Sequence, residues 1–193
     1  MGATFTLPAD NSQQKLYDRV LIMELLIPGL ILVALMVYAS TKIKKSAAQA
    51  YDEELIENQE FRLVKPEGFI NPVDASGDAV LTAYTRDFGI DEAADIRLVS
   101  ANIYAFSDKD ISARRTELFD ELGSAAERSF QINRFPAMLI EGTSAVNGAK
   151  ILSKIKLIQG IPTLYELRAD TIEDAVDDFS KAVEKMIDSF EVK

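Results

Sequence analysis

The chain contains no histidine and no cysteine, so its serines, lysines and carboxylates are the side chains left for chemistry. This composition excludes Ser-His-Asp and Cys-His nucleophile systems, thiolate or imidazole zinc sites, and haem held by His or Cys. A serine–lysine dyad remains, and Ser153 lies next to Lys154. Adjacent residues of a strand point to opposite faces, so these two side chains cannot act together. We therefore expect no catalytic residues and no enzymatic activity.

The carboxylates offer few patterns that hold a metal ion. Asp108 and Asp110 could begin a calcium loop, but its sixth and twelfth positions would be Ala113 and Phe119 instead of Gly and Glu. We interpret both aspartates as N-cap candidates for a helix. A second cluster lies between two predicted strands, where a solvated loop and weak divalent-ion binding are the two interpretations: Asp87, Asp91, Glu92 and Asp95. The scattered glycines form no phosphate-binding motif, and we expect no metal site and no cofactor.

Length and charge set the broad class of the protein. The 193 residues allow one domain with an appendage. With 31 acidic residues against 21 basic ones, the formal net charge is −10. Because little would neutralise a phosphate backbone, we expect no nucleic-acid partner.

The appendage is an apolar run near the N-terminus. Residues 20–38 read VLIMELLIPGLILVALMVY, in which Glu24 is the single charge. At about 1.5 Å per residue this run nearly matches a hydrocarbon core of about 30 Å, so we predict a transmembrane helix over residues 20–39. A buried core helix and a cleaved signal peptide are the alternatives. The long polar leader, residues 1–19, favours an uncleaved anchor, which also makes the myristoylation pattern at Gly2 redundant.

The apolar run and the lysines after it suggest what the helix contacts in the membrane. Pro28-Gly29 loosens the helix locally, which a packed neighbouring helix would tolerate. The residues expected to pack against such a helix are Leu25, Pro28, Gly29, Leu32 and Met36. We expect Lys42, Lys44 and Lys45 to contact lipid headgroups. Against Lys15 and Arg19 on the other side, these three lysines favour a cytoplasmic C-terminal domain in a single-pass membrane protein.

The rest of the chain predicts a helical stalk and an α+β domain. The stalk, residues 40–59, would continue the membrane helix to about Asn58, and the domain would span residues 60–193. Predicted strands are 61–64, 79–88, 96–106 and 137–141, followed after Asn147-Gly148 by a hairpin of 150–159 and 163–168. A helix is predicted from Asp110 to about Phe130. A closing amphipathic helix begins at a capping box of Asp170 and Glu173 and covers an antiparallel sheet.

The order of these elements resembles the PsbP/Mog1-like family over roughly residues 61–190. The resemblance rests on three short sequence motifs. They are Pro66-Glu67-Gly68-Phe69 in the opening turn, Leu164-Tyr165-Glu166-Leu167 in the hairpin, and Ile187-Asp188-Ser189-Phe190 at the end of the closing helix. It implies an α/β/α sandwich and a non-enzymatic role as an extrinsic or assembly subunit of a membrane complex, often photosynthetic. The chain departs from that family in its predicted anchor and in having no histidine, so we expect no manganese or calcium role.

Two functions follow as hypotheses. In the first, the chain is a non-catalytic single-pass accessory subunit that stabilises or assembles a larger integral membrane complex, photosynthetic or otherwise energy-transducing. In the second, the span is only an anchor in the lipid bilayer, and the domain is a tethered binding module for a small ligand or a soluble protein. Replacing the span with an unrelated Leu-rich helix distinguishes the two.

Overall fold

The computed structural model describes residues 28–42, 48–72 and 77–193. Contacts divide the chain into two compact units, Met1–Ala48 and Gln49–Lys193. In the first unit, residues 28–42 form a helix, α1, whose side chains are exposed throughout. No helix of the described residues combines the length and the apolar character needed to cross a bilayer. Residues 20–27 lie outside the described part, so the transmembrane span stays a prediction.

The second unit consists of two antiparallel sheets and two helices. The strands described in it are β1 (Glu54–Glu57), β2 (Phe61–Lys65), β3 (Phe69–Ile70), β4 (Leu81–Thr85), β5 (Val99–Phe106), β6 (Ser124–Ile132), β7 (Phe135–Val146), β8 (Ala149–Gln159), β9 (Leu164–Ile172) and β10 (Glu191–Val192). The helices are α2 (Ile111–Glu121) and α3 (Val176–Ser189). The small sheet has the order β1-β2-β10, and the large sheet has the order β3-β4-β5-β9-β8-β7-β6.

The two helices cover opposite faces of the large sheet. On one face, Val183, Met186 and Ile187 of α3 are buried in a cluster that also contains Phe61 and Leu63 of β2. On the other face, α2 buries Leu118 against residues of β7 and β8. Burying one such side chain stabilises the fold by roughly 1.5–3 kcal/mol. The predicted antiparallel sheet covered by helices is confirmed.

A buried lysine joins the large sheet to the end of α3. The Nζ atom of Lys156 on β8 donates to the carbonyl oxygens of Ile187 at 2.7 Å and Phe190 at 2.9 Å. Ile187 lies in the last turn of α3 and Phe190 is its C-cap, a region where backbone acceptors lack helical partners and a cation is favoured. Burial lowers the pKa of Lys156, which is only 4% exposed.

The predicted helical stalk is wrong at its C-terminal end. The sequence predicted helix to Asn58, but Glu54–Glu57 form β1. This strand pairs with β2, and the pairing places Ile56 opposite Leu63. Ile56 packs against the main core, so tertiary pairing outweighs the helix propensity of these residues.

The predicted middle helix is also too long. It ends at Glu121, and Ser124–Ile132 form β6, although helix was predicted to about Phe130. Leu122 adopts extended backbone angles, and the N–H of Gly123 donates to the Thr143 carbonyl of β7 at 2.8 Å. Gly142 permits the close approach, because a Cβ atom there would lie 2.7 Å from Leu122 Cδ1. Pairing with β7 therefore overrides the local propensity.

Of the two N-cap candidates for the middle helix, Asp108 and Asp110, the structure selects Asp110, and the capping box predicted at Asp170 is wrong. Asp110 caps α2, since its Oδ1 accepts from the Ala113 N–H at 2.8 Å. Asp170 does not cap α3, because it lies within β9, and α3 begins at Val176 after a 3₁₀ turn. The Asp170 carboxylate instead accepts hydrogen bonds from Ser153 and Arg168.

Candidate functional site

The face of the large sheet that carries α2 is the polar face. On β9, Glu166, Arg168 and Asp170 alternate and therefore point to the same side. Register pairs Glu166 with Tyr104 of β5 and with Leu157 of β8, whose side chain packs beneath α2. Burying charged residues in the middle of a sheet costs free energy unless they are paired, so the charges on β9 mark a candidate site.

Glu166 is the most deeply buried charge on this face. Its side chain is 0% exposed and accepts two hydrogen bonds from Arg114, from Nε at 2.5 Å and from Nη2 at 3.1 Å. Arg114 also donates to Glu117 at 2.8 Å. Burial disfavours the charged guanidinium, but its hydrogen bonds to Glu166 and Glu117 outweigh this effect and raise the pKa of Arg114. Arg114 therefore stays cationic and neutralises Glu166.

A second arginine extends the network across the sheet. Arg168 donates from Nε to both carboxylate oxygens of Asp170 at 3.0 Å, and from Nη1 to Glu121 of α2 at 2.9 Å. The hydroxyl of Ser153 donates to Asp170 at 2.5 Å. Within the described residues, no buried polar side-chain atom is left without a hydrogen bond. The network is a set of satisfied ion pairs that joins α2 to the sheet.

This arrangement does not resemble a nucleophile with its base. Ser153 is 3% exposed, so a substrate could not approach its hydroxyl. Lys154 lies on the opposite face, where its Nζ is 2.9 Å from Glu141 and 3.7 Å from Glu184. The strand geometry thus separates the serine from the lysine, as the sequence predicted.

A small recess lies next to this network, and we call it the arginine recess. It has a volume of about 110 Å³, and its polar lining consists of Arg97, Ser100, Ser144, Arg168 and Asp170. The guanidinium of Arg97 stacks over two aromatic rings, 3.8 Å from the centroid of Phe88 and 4.5 Å from that of Tyr84. Tyr104 lies farther along the same face, and burial raises the pKa of its hydroxyl.

A larger concavity lies on the opposite face, between α3 and the uncovered part of β6–β8, and we call it the α3 groove. Its main part has a volume of about 460 Å³, and an adjoining part of about 380 Å³ shares Ala126, Glu141, Lys154 and Glu184 with it. Small residues form much of the floor, including Ser124, Ala126 and Thr143. Along it runs β6, the edge strand of the large sheet, which presents unpaired backbone groups.

The predicted acidic loop does not converge on a point. Asp87, Asp91, Glu92 and Asp95 are all exposed. Across residues 28–42, 48–72 and 77–193, no three carboxylates approach closely enough to hold a metal ion. The loop instead carries the 3₁₀ turn Asp91–Ala93, whose Ala93 packs into a small apolar cluster with Ile151 and Ile172.

The residues predicted to pack in a membrane are described in part. Pro28, Gly29, Leu32 and Met36 lie in α1 and are exposed, and Lys42 ends its described part. Leu25, Lys44 and Lys45 lie outside the described residues. The packing and headgroup roles of all eight stay predictions.

Sequence reasoning missed the residues that form the two surfaces. Arg97 precedes β5, Ser100 lies on β5 and Arg168 lies on β9, and only the strand register brings these three residues together. One signal was present: Glu166 and Arg168 alternate with apolar residues within a predicted strand, and Asp170 continues the alternation just beyond its predicted end. A charged series on the same side of an interior strand indicates a paired polar network.

Comparison with solved structures finds proteins of similar fold. LpqN of Mycobacterium tuberculosis, described as involved in cell envelope biogenesis, aligns over 74% of this chain and 91% of its own length, with 13% identity and a TM-score of 0.52. Cyanobacterial PsbP (CyanoP) of Synechocystis aligns over 74% and 94%, with 12% identity and a TM-score of 0.49. The Ran-binding protein Mog1p of Saccharomyces cerevisiae aligns over 74% and 96%, with 13% identity and a TM-score of 0.46.

These similarities concern the fold alone. No protein-family model matches the sequence, and no curated protein is similar to it in sequence. The resemblance to PsbP/Mog1-like domains that the sequence predicted is confirmed as a resemblance of fold, in the mixed architecture of antiparallel sheet and covering helices.

Proposed function

We propose that the chain is a non-catalytic accessory protein that binds another protein. The charged groups on the polar face of the sheet, Arg114 with Glu166 and Arg168 with Asp170, are paired with one another. The one serine–lysine candidate is separated by the sheet. Such a network stabilises the fold and has no group poised for proton transfer or nucleophilic attack. The folded unit has two concave surfaces, the arginine recess and the α3 groove, and we take the arginine recess as its binding surface.

The single observation that carries the proposal is the exposure of α1. Four successive side chains, Leu30, Ile31, Leu32 and Val33, are each 56–61% exposed. Successive residues of a helix are about 100° apart, so these four point around the whole helix. Contiguous apolar surface of this kind marks a membrane or protein contact. We infer that lipid or a partner helix covers it.

The finer form of the proposal is an accessory subunit of an integral membrane complex. In this form, residues 20–39 span the bilayer, Lys42, Lys44 and Lys45 contact headgroups, and the folded unit lies on the cytoplasmic side. Pro28, Gly29, Leu32 and Met36 lie on one side of an ideal helix, which supports a packed neighbour there. A photosynthetic or other energy-transducing complex is the partner class that the sequence resemblance favours.

The test compares two leucine substitutions in the full chain, expressed in its native membranes. Gly29→Leu adds bulk to the proposed packing side, whereas Ala34→Leu adds bulk five residues later, about 140° around the helix. We expect Gly29→Leu to reduce the amount of chain that migrates with a large complex on a native gel, and Ala34→Leu to leave it unchanged. If both variants migrate with the complex as the wild type does, lateral packing through Gly29 is excluded.

A further inference from the structure

Arg97 is the least satisfied cation on the polar face of the sheet. Its guanidinium stacks on Phe88 and Tyr84, and its Nη1 donates to the backbone carbonyl of Arg86. None of the ion pairs among the described residues includes Arg97. A guanidinium has five N–H donors, so most of its donors remain available to a ligand.

The one carboxylate that lines the arginine recess is already neutralised. Asp170 lines the recess, but its carboxylate is held by Arg168 and Ser153. Glu121, at the far end of the Arg168 guanidinium, is held by both Arg168 and Arg114. Arg97 is therefore the charge that the recess presents without compensation. An anionic group placed there would form charge-assisted hydrogen bonds.

The size of the recess sets what that anion can be. A volume of about 110 Å³ is well below the roughly 300–1,000 Å³ of pockets that bury whole small molecules. It suits a single acidic side chain. The hydroxyl of Ser100 also lines the recess and can donate a hydrogen bond to a carboxylate.

The surroundings of the recess have the composition of a protein contact. Phe88 is 46% exposed, and Tyr84 and Tyr104 lie half-buried on the same sheet face. Tyrosine and arginine around a concave centre are the residue types that dominate binding energy at protein interfaces. Because the whole chain carries a net charge of −10, a broadly acidic partner would be repelled at long range. One carboxylate within an otherwise neutral, apolar surface avoids that repulsion.

We propose that the arginine recess and its aromatic rim, Tyr84 and Phe88, form a docking site for a partner protein that inserts one Asp or Glu side chain beside Arg97. This inference rests on the proposed function, since it names the chemistry by which the folded unit recognises its protein partner. The aromatic rim supplies the apolar contact area, and Arg97 supplies the specificity for a carboxylate.

The chain offers a matched control for testing this site. Arg128 on β6 also lies over an aromatic ring, 5.8 Å from the centroid of Phe130, and also forms no ion pair among the described residues. It borders the α3 groove on the other face of the sheet. A change at Arg128 therefore repeats the chemistry of a change at Arg97 at a different surface.

The experiment is site-specific photo-crosslinking of the full chain in native membranes. Benzoylphenylalanine replaces Phe88 in one series and Phe130 in the control series, and mass spectrometry maps the crosslinked partner residue. We expect position 88 to crosslink a protein segment with an Asp or Glu nearby. Arg97→Glu is expected to lower that yield at least about tenfold, as loss of an interface hot spot does, and Arg128→Glu to leave it unchanged. Replacing the partner's Asp or Glu by Arg should restore the crosslink yield of the Arg97→Glu variant.

Several outcomes would overturn the docking site. These are crosslinks from position 88 only to lipid, a partner segment with no carboxylate, or a yield that Arg97→Glu does not change. Arg97→Gln, which keeps a polar side chain of similar reach, guards against misfolding and should also lose the crosslink. If the chain still migrates with a large complex in these cases, the docking-site proposal is wrong and the accessory function stands. If the chain never migrates with a large complex, the proposed accessory function is wrong as well.

Discussion

The guanidinium of Arg114 and the fully buried carboxylate of Glu166 form a two-pronged ion pair between α2 and the centre of the large sheet, with contacts of 2.5 Å and 3.1 Å. The two residues are 52 positions apart in the chain. Their pairing fixes α2 over β9 and leaves the neighbouring sheet face open. The arginine recess lies on that open part, so this pair positions the proposed docking surface.

Removing one partner of this pair should destabilise the protein strongly. We expect Arg114→Met to lower the free energy of unfolding by about 3–5 kcal/mol, because Glu166 would stay buried as an uncompensated charge. The double variant Arg114→Met with Glu166→Leu should lose much less than the single one. Urea denaturation of the three proteins measures this. A single variant as stable as the wild type would show that the pair contributes little.

Lys156 should contribute far more to the free energy of unfolding than Lys154, which lies two residues earlier in the same strand. We expect Lys156→Met to cost about 2–3 kcal/mol, since the carbonyls of Ile187 and Phe190 would lose their buried donor. Lys154→Met is the matched control, and its half-buried pair with Glu141 should be worth about 1 kcal/mol or less. Thermal and urea unfolding compare the two variants. Equal losses would contradict the assigned role of Lys156 at the end of α3.

Acid should weaken the attachment of α2 through Glu117. Hydrogen bonds from Lys109 and Arg114 lower the pKa of Glu117 below its ordinary value of 4.5. The unfolded state therefore binds this proton first as the pH falls. The contribution of Glu117 is present above about pH 4.5 and is lost as the pH drops through its folded pKa. Glu117→Gln should thus be less stable than the wild type at neutral pH and approach it in acid, in urea midpoints measured across this range.

The N-cap of α2 can be tested with a second pair of aspartates. Asp110 accepts the Ala113 N–H at 2.8 Å, so we expect Asp110→Ala to cost about 1 kcal/mol. Asp108, which lies two residues earlier and is exposed, should tolerate the same change within about 0.5 kcal/mol. Chemical denaturation resolves the difference. The reverse order of stabilities would move the cap from Asp110 to Asp108.

The sequence was most informative where local patterns and long-range pairing agree. The hairpin of β8 and β9 was predicted from apolar runs, and the turn before it from Asn147-Gly148, both of which have positive φ angles in the structure. The closing helix was predicted from its apolar spacing, although its start was misplaced. In residues 124–132, by contrast, helix-favouring residues form a strand because β7 is available to pair with them. No local sequence pattern identifies β7 as the pairing partner of these residues.

The candidate site was less predictable than the fold for the same reason. The absence of histidine and cysteine and the alternation along strands were enough to expect no nucleophile system. The arginine recess depends on the stacking of Arg97 on Tyr84 and Phe88. It also depends on the ion pair between Arg168 and Asp170, which lie two residues apart on the same strand. These contacts follow from strand register and loop path, which single-residue patterns do not specify.

The central claim is that this chain functions as an accessory protein bound to a larger membrane complex. Its most direct test is purification of the tagged full chain from native membranes in mild detergent, with size, stoichiometry and an absorption spectrum measured together. The account predicts a fixed stoichiometry with one large assembly, which Gly29→Leu reduces and Ala34→Leu does not, and the spectrum reports whether the assembly is photosynthetic. Recovery of the chain alone, at its own size of 21.4 kDa plus detergent, would contradict the claim.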